Sequence, residues 1–195
     1  MADIVSTTKE SIKTVFDKIN KVFYFADNKT AQGAVKALSA LSGGIELPIL
    51  EGGVNLDTGS LEKSEVKLTD GTIWLSKITN GDSDISFNVA TVHSTINELF
   101  LDKKVAAVIS SAVQIGNYDY TGQGYGPAKK IGGALVFITS DNSAAIYLPD
   151  VEMGGALKVS DDDNSAGYYE CVVTPLTDAN GAMLYIMNGT PHSNG

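Results

Sequence analysis

Residues 131–175, IGGALVFITSDNSAAIYLPDVEMGGALKVSDDDNSAGYYECVVTP, decide the fold class. Apolar runs at 131–139, 144–148, 151–160 and 168–175 have strand length and β-branched content. The breaks between them, Ser140-Asp141-Asn142-Ser143, Pro149-Asp150 and the segment 161–167, are built from residues that prefer turns. Four short strands in succession predict an antiparallel sheet. The same stretch carries one lysine against seven acids and offers no catalytic constellation, which favours a protein that builds something.

Outward from that sheet, 195 residues with 43% hydrophobic content describe one globular domain large enough for a real core, and the strand pattern with its few helical stretches makes the expected class mainly β (α+β). No apolar run is long enough to cross a bilayer. The first ten residues lack the basic start and apolar core of a secretory signal, so the chain is expected to be made and used in a cytosol. The lone Cys171 excludes an internal disulfide and reads as a small buried hydrophobe on the apolar face of its strand. All 14 basic residues are lysine, and the formal charge is −9. Without arginine, the residue that grips guanine and phosphate bidentately, sequence-specific nucleic-acid reading is disfavoured. The charge is uneven: residues 1–130 hold 13 lysines and 15 acids, and residues 131–195 hold one lysine and eight acids.

Toward the N-terminus, Ile12, Val15, Phe16, Ile19, Val22 and Phe23 recur at helical spacing and predict an amphipathic helix over 8–24. A second short helix is expected over 31–41, ending at Ser42-Gly43-Gly44. From residue 44 the period changes to two. Ile45, Leu47 and Ile49 alternate with polar positions, and Pro48 marks an edge or an irregularity. Strand pattern returns at 65–67 and 73–78 around a Thr69-Asp70-Gly71 hairpin turn. Trp74, the only tryptophan, reads as a core anchor. The cleanest alternation is 84–89, with Ile85, Phe87 and Val89 on one face and Asp84, Ser86 and Asn88 on the other. Ser94 can cap a helix running through Ile96, Leu99, Phe100 and Leu101 to Lys103-Lys104, packed as a lid across a sheet or barrel edge. Residues 105–113 read as a fully apolar, buried strand.

In residues 117–130, Tyr118, Tyr120 and Tyr125 stand among Gly122, Gly124 and Gly126. A phosphate-binding loop is disfavoured, because no helix is expected to begin after the glycines. An exposed loop for protein contact fits better, although a loop with no partner fits as well. His93 and His192 are far apart, and His192 lies in a tail expected to fray. No nucleophile elbow, zinc helix or Cys/His ligand spacing is present, so neither an enzyme nor a metal or cofactor site is expected. Asp161-Asp162-Asp163-Asn164 reads as a turn before a weak ion site.

The order of IELPILEGGVNLDTGSLEKSEVKLTDGTIW, DSDISFNV, the helix near INELF and the segment KKIGGALVFITSDNSAAIYLPD through to MLYI resembles phage tail tube proteins, especially those of phages infecting Bacteroides-like hosts. The likeness covers residues 44–186. It implies an antiparallel β-sandwich or barrel of tail-tube type with one packed helix, the subunit of hexameric rings that stack into a conduit for the genome. The expected organisation is an N-terminal helical extension at 1–43, a β domain at 44–187 and a flexible tail at 188–195. The implied partners are the chain itself and other tail or neck proteins of a virion assembled in the host cytoplasm, with DNA as passing cargo and no membrane. On that resemblance Asp84, Ser86 and Asn88 would face the lumen, and Tyr118, Tyr120 and Tyr125 would contact a neighbouring subunit. A capsid decoration or neck protein and a carbohydrate-binding β module are the alternatives.

Overall fold

A computed structural model of the chain describes residues 18–26, 44–90, 93–159 and 167–189. Twelve strands and one helix are present among them: β1 (Ile19–Phe25), β2 (Ile45–Leu47), β3 (Ile49–Asp57), β4 (Leu61–Lys67), β5 (Ile73–Asn80), β6 (Asp84–Ala90), α1 (Ser94–Phe100), β7 (Leu101–Ile115), β8 (Tyr118–Ala128), β9 (Lys130–Thr139), β10 (Ala144–Lys158), β11 (Tyr168–Leu176) and β12 (Tyr185–Asn188). All pairings are antiparallel.

The main sheet runs β2-β1-β9-β10-β11-β6-β3, with β12 beside the first half of β10. It does not close into a barrel, yet one segment touches both of its ends. β2 pairs with β1, the chain breaks at Pro48, and β3 pairs with β6 at the opposite end. Proline lacks the donor that would continue a ladder, so it suits the corner where the segment leaves one end of the sheet for the other. Lys18 Nζ lies 2.6 Å from Glu51 Oε1 where the ends approach.

Strand β10 bends similarly. The turn expected at Pro149-Asp150 is instead a register shift between Leu148 and Val151 inside one continuous strand. A bulge tolerates proline and kinks the strand, so the first half pairs with β12 and the second with β11. The turn at 140–143 is present as expected. Asp141 Oδ1 accepts from Ser143 N at 3.0 Å, Ser143 Oγ at 2.8 Å and Thr139 Oγ1 at 2.8 Å. Those donors, the Ser143 amide foremost, hold the carboxyl at about 2.

Inside the curl lies one core: Val22, Tyr24 and Leu47 from one end of the sheet, Leu135, Phe137 and Leu148 from its middle, and Ile85, Phe87, Val89, Tyr169 and Cys171 from the other end. The alternation expected in β6 is therefore observed, with Ile85, Phe87 and Val89 fully buried. Helix α1 covers this core with Ile96 and Phe100. The Phe100 ring lies 5.1 Å from that of Tyr169 and directly over Gly155, where a side chain would collide with it. Cys171 is buried as expected, and burial pushes its thiol up to about 12.

Several expectations are corrected. Residues 19–25 form a strand of the main sheet and not the end of a helix. Val22 and Tyr24 enter the core while Phe25 enters a second cluster with Ala134, Val136 and Tyr147 on the other face. A strand apolar on both faces has no period of two, which made helical spacing look equally good. The rest of that helix, the helix at 31–41, the acidic run at 161–164 and His192 lie outside the described residues. Helix α1 is capped by His93 in place of Ser94: Thr95 N donates to His93 Nδ1 at 3.2 Å. The helix stops at Phe100, so Leu101, Lys103 and Lys104 belong to β7.

Candidate functional site

Two features of the exterior stand out: a polar sheet face and a pair of projecting hairpins. The first follows from strand parity. With Ile85, Phe87 and Val89 turned inward, Asp84, Ser86 and Asn88 must share the outer face. Register then fixes their neighbours. Asn88 stands opposite Glu170 and Ser86 opposite Val172 on β11; on β3, Asn55 stands opposite Ser86 and Asp57 opposite Asp84. Asn55 Nδ2 donates to Asp84 Oδ2 at 3.1 Å. One strand further, Glu152 and Thr174 face each other across β10 and β11.

The structure thus brings the three predicted residues together on one wet face and adds acids that single-strand reading missed. Asp57, Glu152 and Glu170 join Asp84 there. Lys130 and Lys158 lie at the margin, Lys130 Nζ at 2.7 Å from Glu152 Oε2 and Lys158 Nζ at 3.2 Å from Glu170 Oε2. Alternation in 168–175, where Cys171 and Val173 inward put Glu170, Val172 and Thr174 outward, gives the outward side of Glu170 within its own strand, but only register brings it, Asp57 and Glu152 beside Asp84. Two shallow grooves of about 420 and 450 Å³ cross this face and share Glu170 and Val172. Among the described residues, no group of three or more His, Cys, Asp or Glu side chains is placed to hold a metal ion.

The second feature overturns three expectations. Residues 105–113 are not buried: they lie in β7, where Val105 is 81% exposed. Residues 118–128 are not a loop: they form β8, hydrogen-bonded to β7 in a long ribbon turning at Gly116, whose φ of 61° suits glycine. Tyr118 and Tyr120 stand out from that ribbon, 71% and 51% exposed. Tyr125 is half-buried and pairs with Lys103 near its base, so it is separated from the other two tyrosines. Trp74 is not a core anchor; it projects from the β4–β5 hairpin, 70% exposed, beside a register irregularity between Val66 and Lys67. The turn of that hairpin is the expected one: Gly71 has φ 87°, and Thr72 N donates to Asp70 Oδ1 at 2.8 Å.

Among the described residues each hairpin is a two-stranded sheet of its own, paired to no other strand. Such ribbons have no core and are marginal alone. Of nineteen large hydrophobics exposed among the described residues, seven lie in 61–78 and seven in 105–120. Among the described residues, exposed apolar surface is thus concentrated on the two hairpins.

No family model and no curated protein matches this chain. Among the described residues, no helix is long and apolar enough to cross a membrane.

Proposed function

We propose that this chain is a structural subunit that assembles with copies of itself into stacked, hollow rings of the phage tail-tube kind. The observation that carries the reading is the placement of fourteen exposed large hydrophobics on two coreless hairpins. An apolar face that its own molecule leaves bare marks a contact surface. A projecting ribbon reaches further from its domain than a patch on the main sheet could.

Two further observations support it. Among the described residues β3 ends the main sheet with no further strand beside it, the kind of edge that another strand completes. Its outer face at β3, β6, β11 and the second half of β10 is polar and bears four acids, Asp57, Asp84, Glu152 and Glu170, against two lysines, Lys130 and Lys158, paired with the last two, which leaves the face net acidic. Turned toward a lumen, such a wall repels phosphate, so a nucleic acid would pass without being held. In that assignment Asp84, Ser86 and Asn88 line the conduit, Tyr118 and Tyr120 meet a neighbour, and no cofactor is needed.

Negative-stain imaging of the purified chain across a concentration series tests the reading. Stacked annuli or tubes are expected. Compact trimers would replace it with a capsid decoration role, and monomers at every concentration would remove it.

A further inference from the structure

The two hairpins are unlike in shape and alike in charge. The tip of β4–β5 gathers Val66, Leu68, Ile73, Trp74 and Leu75, between 46% and 70% exposed. The β7–β8 ribbon instead has a long apolar face. Its register sets Ile115 opposite Tyr118, Val113 opposite Tyr120 and Ile109 opposite Gly122, while Gln114 and Asp119 share the reverse face. Those five large side chains are between 50% and 71% exposed.

We propose that the Trp74 tip of one copy seats on the Tyr118/Tyr120 face of a second copy, head to tail. Charge argues for a second copy as the occupant. Residues 61–80 carry three lysines and three acids, and residues 101–128 carry two of each, so both hairpins are neutral in a chain of net charge −9. Copies that repel each other elsewhere meet most cheaply where neither carries net charge. Area agrees. At on the order of 200 Å² per fully exposed large side chain, the value for aromatics, the exposed apolar groups of each hairpin amount to at most about 550 Å², so full engagement of both reaches the ~1,000 Å² that a specific interface requires.

The asymmetry of the pair matters. A knob on one hairpin and a flat face on the other make a heterologous contact, which propagates into rings or filaments where a self-complementary patch would stop at a dimer. The inference rests on reading the chain as a self-assembling subunit, and it names the surfaces that join.

Trp74 is the only tryptophan, so its emission reports the contact directly. In the full-length chain, emission is expected to shift to the blue as concentration rises through assembly. Val113→Asp leaves Trp74 intact on its own hairpin, and is expected to abolish both shift and assembly while the circular dichroism spectrum stays that of the wild type. Trp74→Ala is expected to stay monomeric as well. Mixed, the two variants retain one good tip and one good face, so one-to-one heterodimers with blue-shifted emission are expected. A Val113→Asp protein that keeps the shift, an assembled wild type whose emission stays that of an exposed indole, or homodimers of either variant would overturn the pairing. Stacked rings with unshifted emission would sink the pairing alone. Heterodimers from a chain that never forms annuli would sink the tube alone, and a wild type monomeric throughout would sink both.

Discussion

Gly155 carries a sharp test of how α1 is held on the sheet. A Cβ there would lie 2.7 Å from Phe100 Cδ1 and 2.8 Å from Cγ, nearly 1 Å inside the ~3.5–4.0 Å at which carbon atoms rest. The ring has nowhere to retreat, since Phe100 is fully buried and the Tyr169 ring lies 5.1 Å away. Gly155→Ala must therefore push α1 outward or force a rotamer, an overpacking cost of about 1–3 kcal/mol. For a domain of this size that lowers the Tm by about 2–12 °C. Phe100→Ala alone opens a cavity and costs about 3–5 kcal/mol. The double variant is the decisive one, because the new methyl enters the space the ring has left. Its stability should equal or exceed that of Phe100→Ala, giving a coupling of about 1–3 kcal/mol in a double-mutant cycle. Thermal and urea denaturation followed by far-ultraviolet circular dichroism, on dilute protein below assembly, supplies all four corners. Additive losses, or a Gly155→Ala protein as stable as the parent, would refute the close-packing account.

Other outcomes follow from the same structure. Asp84→Lys combined with Glu170→Lys, both on the wet face, should leave the circular dichroism spectrum unchanged and make assembled particles retain DNA in a co-sedimentation assay. Retention that vanishes with rising salt would mark it as electrostatic. Cys171 should resist thiol reagents in the folded protein and react stoichiometrically in urea, because burial holds the thiol protonated up to about 12. Tyr147 is likewise pushed up to about 12, chiefly by burial. Both folded values lie above the ordinary 9.0 and 10.0, so their contribution to stability is complete below about pH 9 and is lost as pH rises toward 12, which an alkaline unfolding series should display. Asp141 has the opposite sign. Its folded value of about 2 lies below the ordinary 3.8, so its contribution is present above pH 4 and disappears as pH falls through 2. Asp141→Ala should lower stability at pH 7 and flatten that part of the acid unfolding curve.

What the sequence made legible was the part of the fold governed by single-strand parity. The inward set Ile85, Phe87 and Val89, the buried Cys171, the turn at 140–143 and the hairpin turn at Gly71 all sit where period and turn chemistry put them. The wet face was half legible: Asp84, Ser86 and Asn88 could be read from one strand. Glu170 and Asp57 join them only through a register between strands far apart in the chain. What stayed illegible were the places where one strand serves two environments. Phe23 and Phe25 serve a second cluster, so β1 looked helical, and Pro149 sits in a bulge that sequence cannot tell from a turn.

Three further misreadings fall on the two hairpins, and that is instructive. Trp74 as a core anchor, residues 105–113 as a buried strand and residues 117–130 as a loop all concern the two hairpins. Hydrophobicity in a sequence states that a side chain is to be kept from water; it does not state which molecule does so. Within one copy these side chains remain exposed, with Trp74 at 70%, Val105 at 81% and Tyr118 at 71%. Their character is that of interior residues, and their position is that of a ribbon without a core. Both hold at once if the interior they belong to is completed by another chain. The expectation of burial is then misplaced only in assigning that interior to a single copy, and on the proposed self-assembly the same side chains that defeat a one-chain reading are where the next subunit would join.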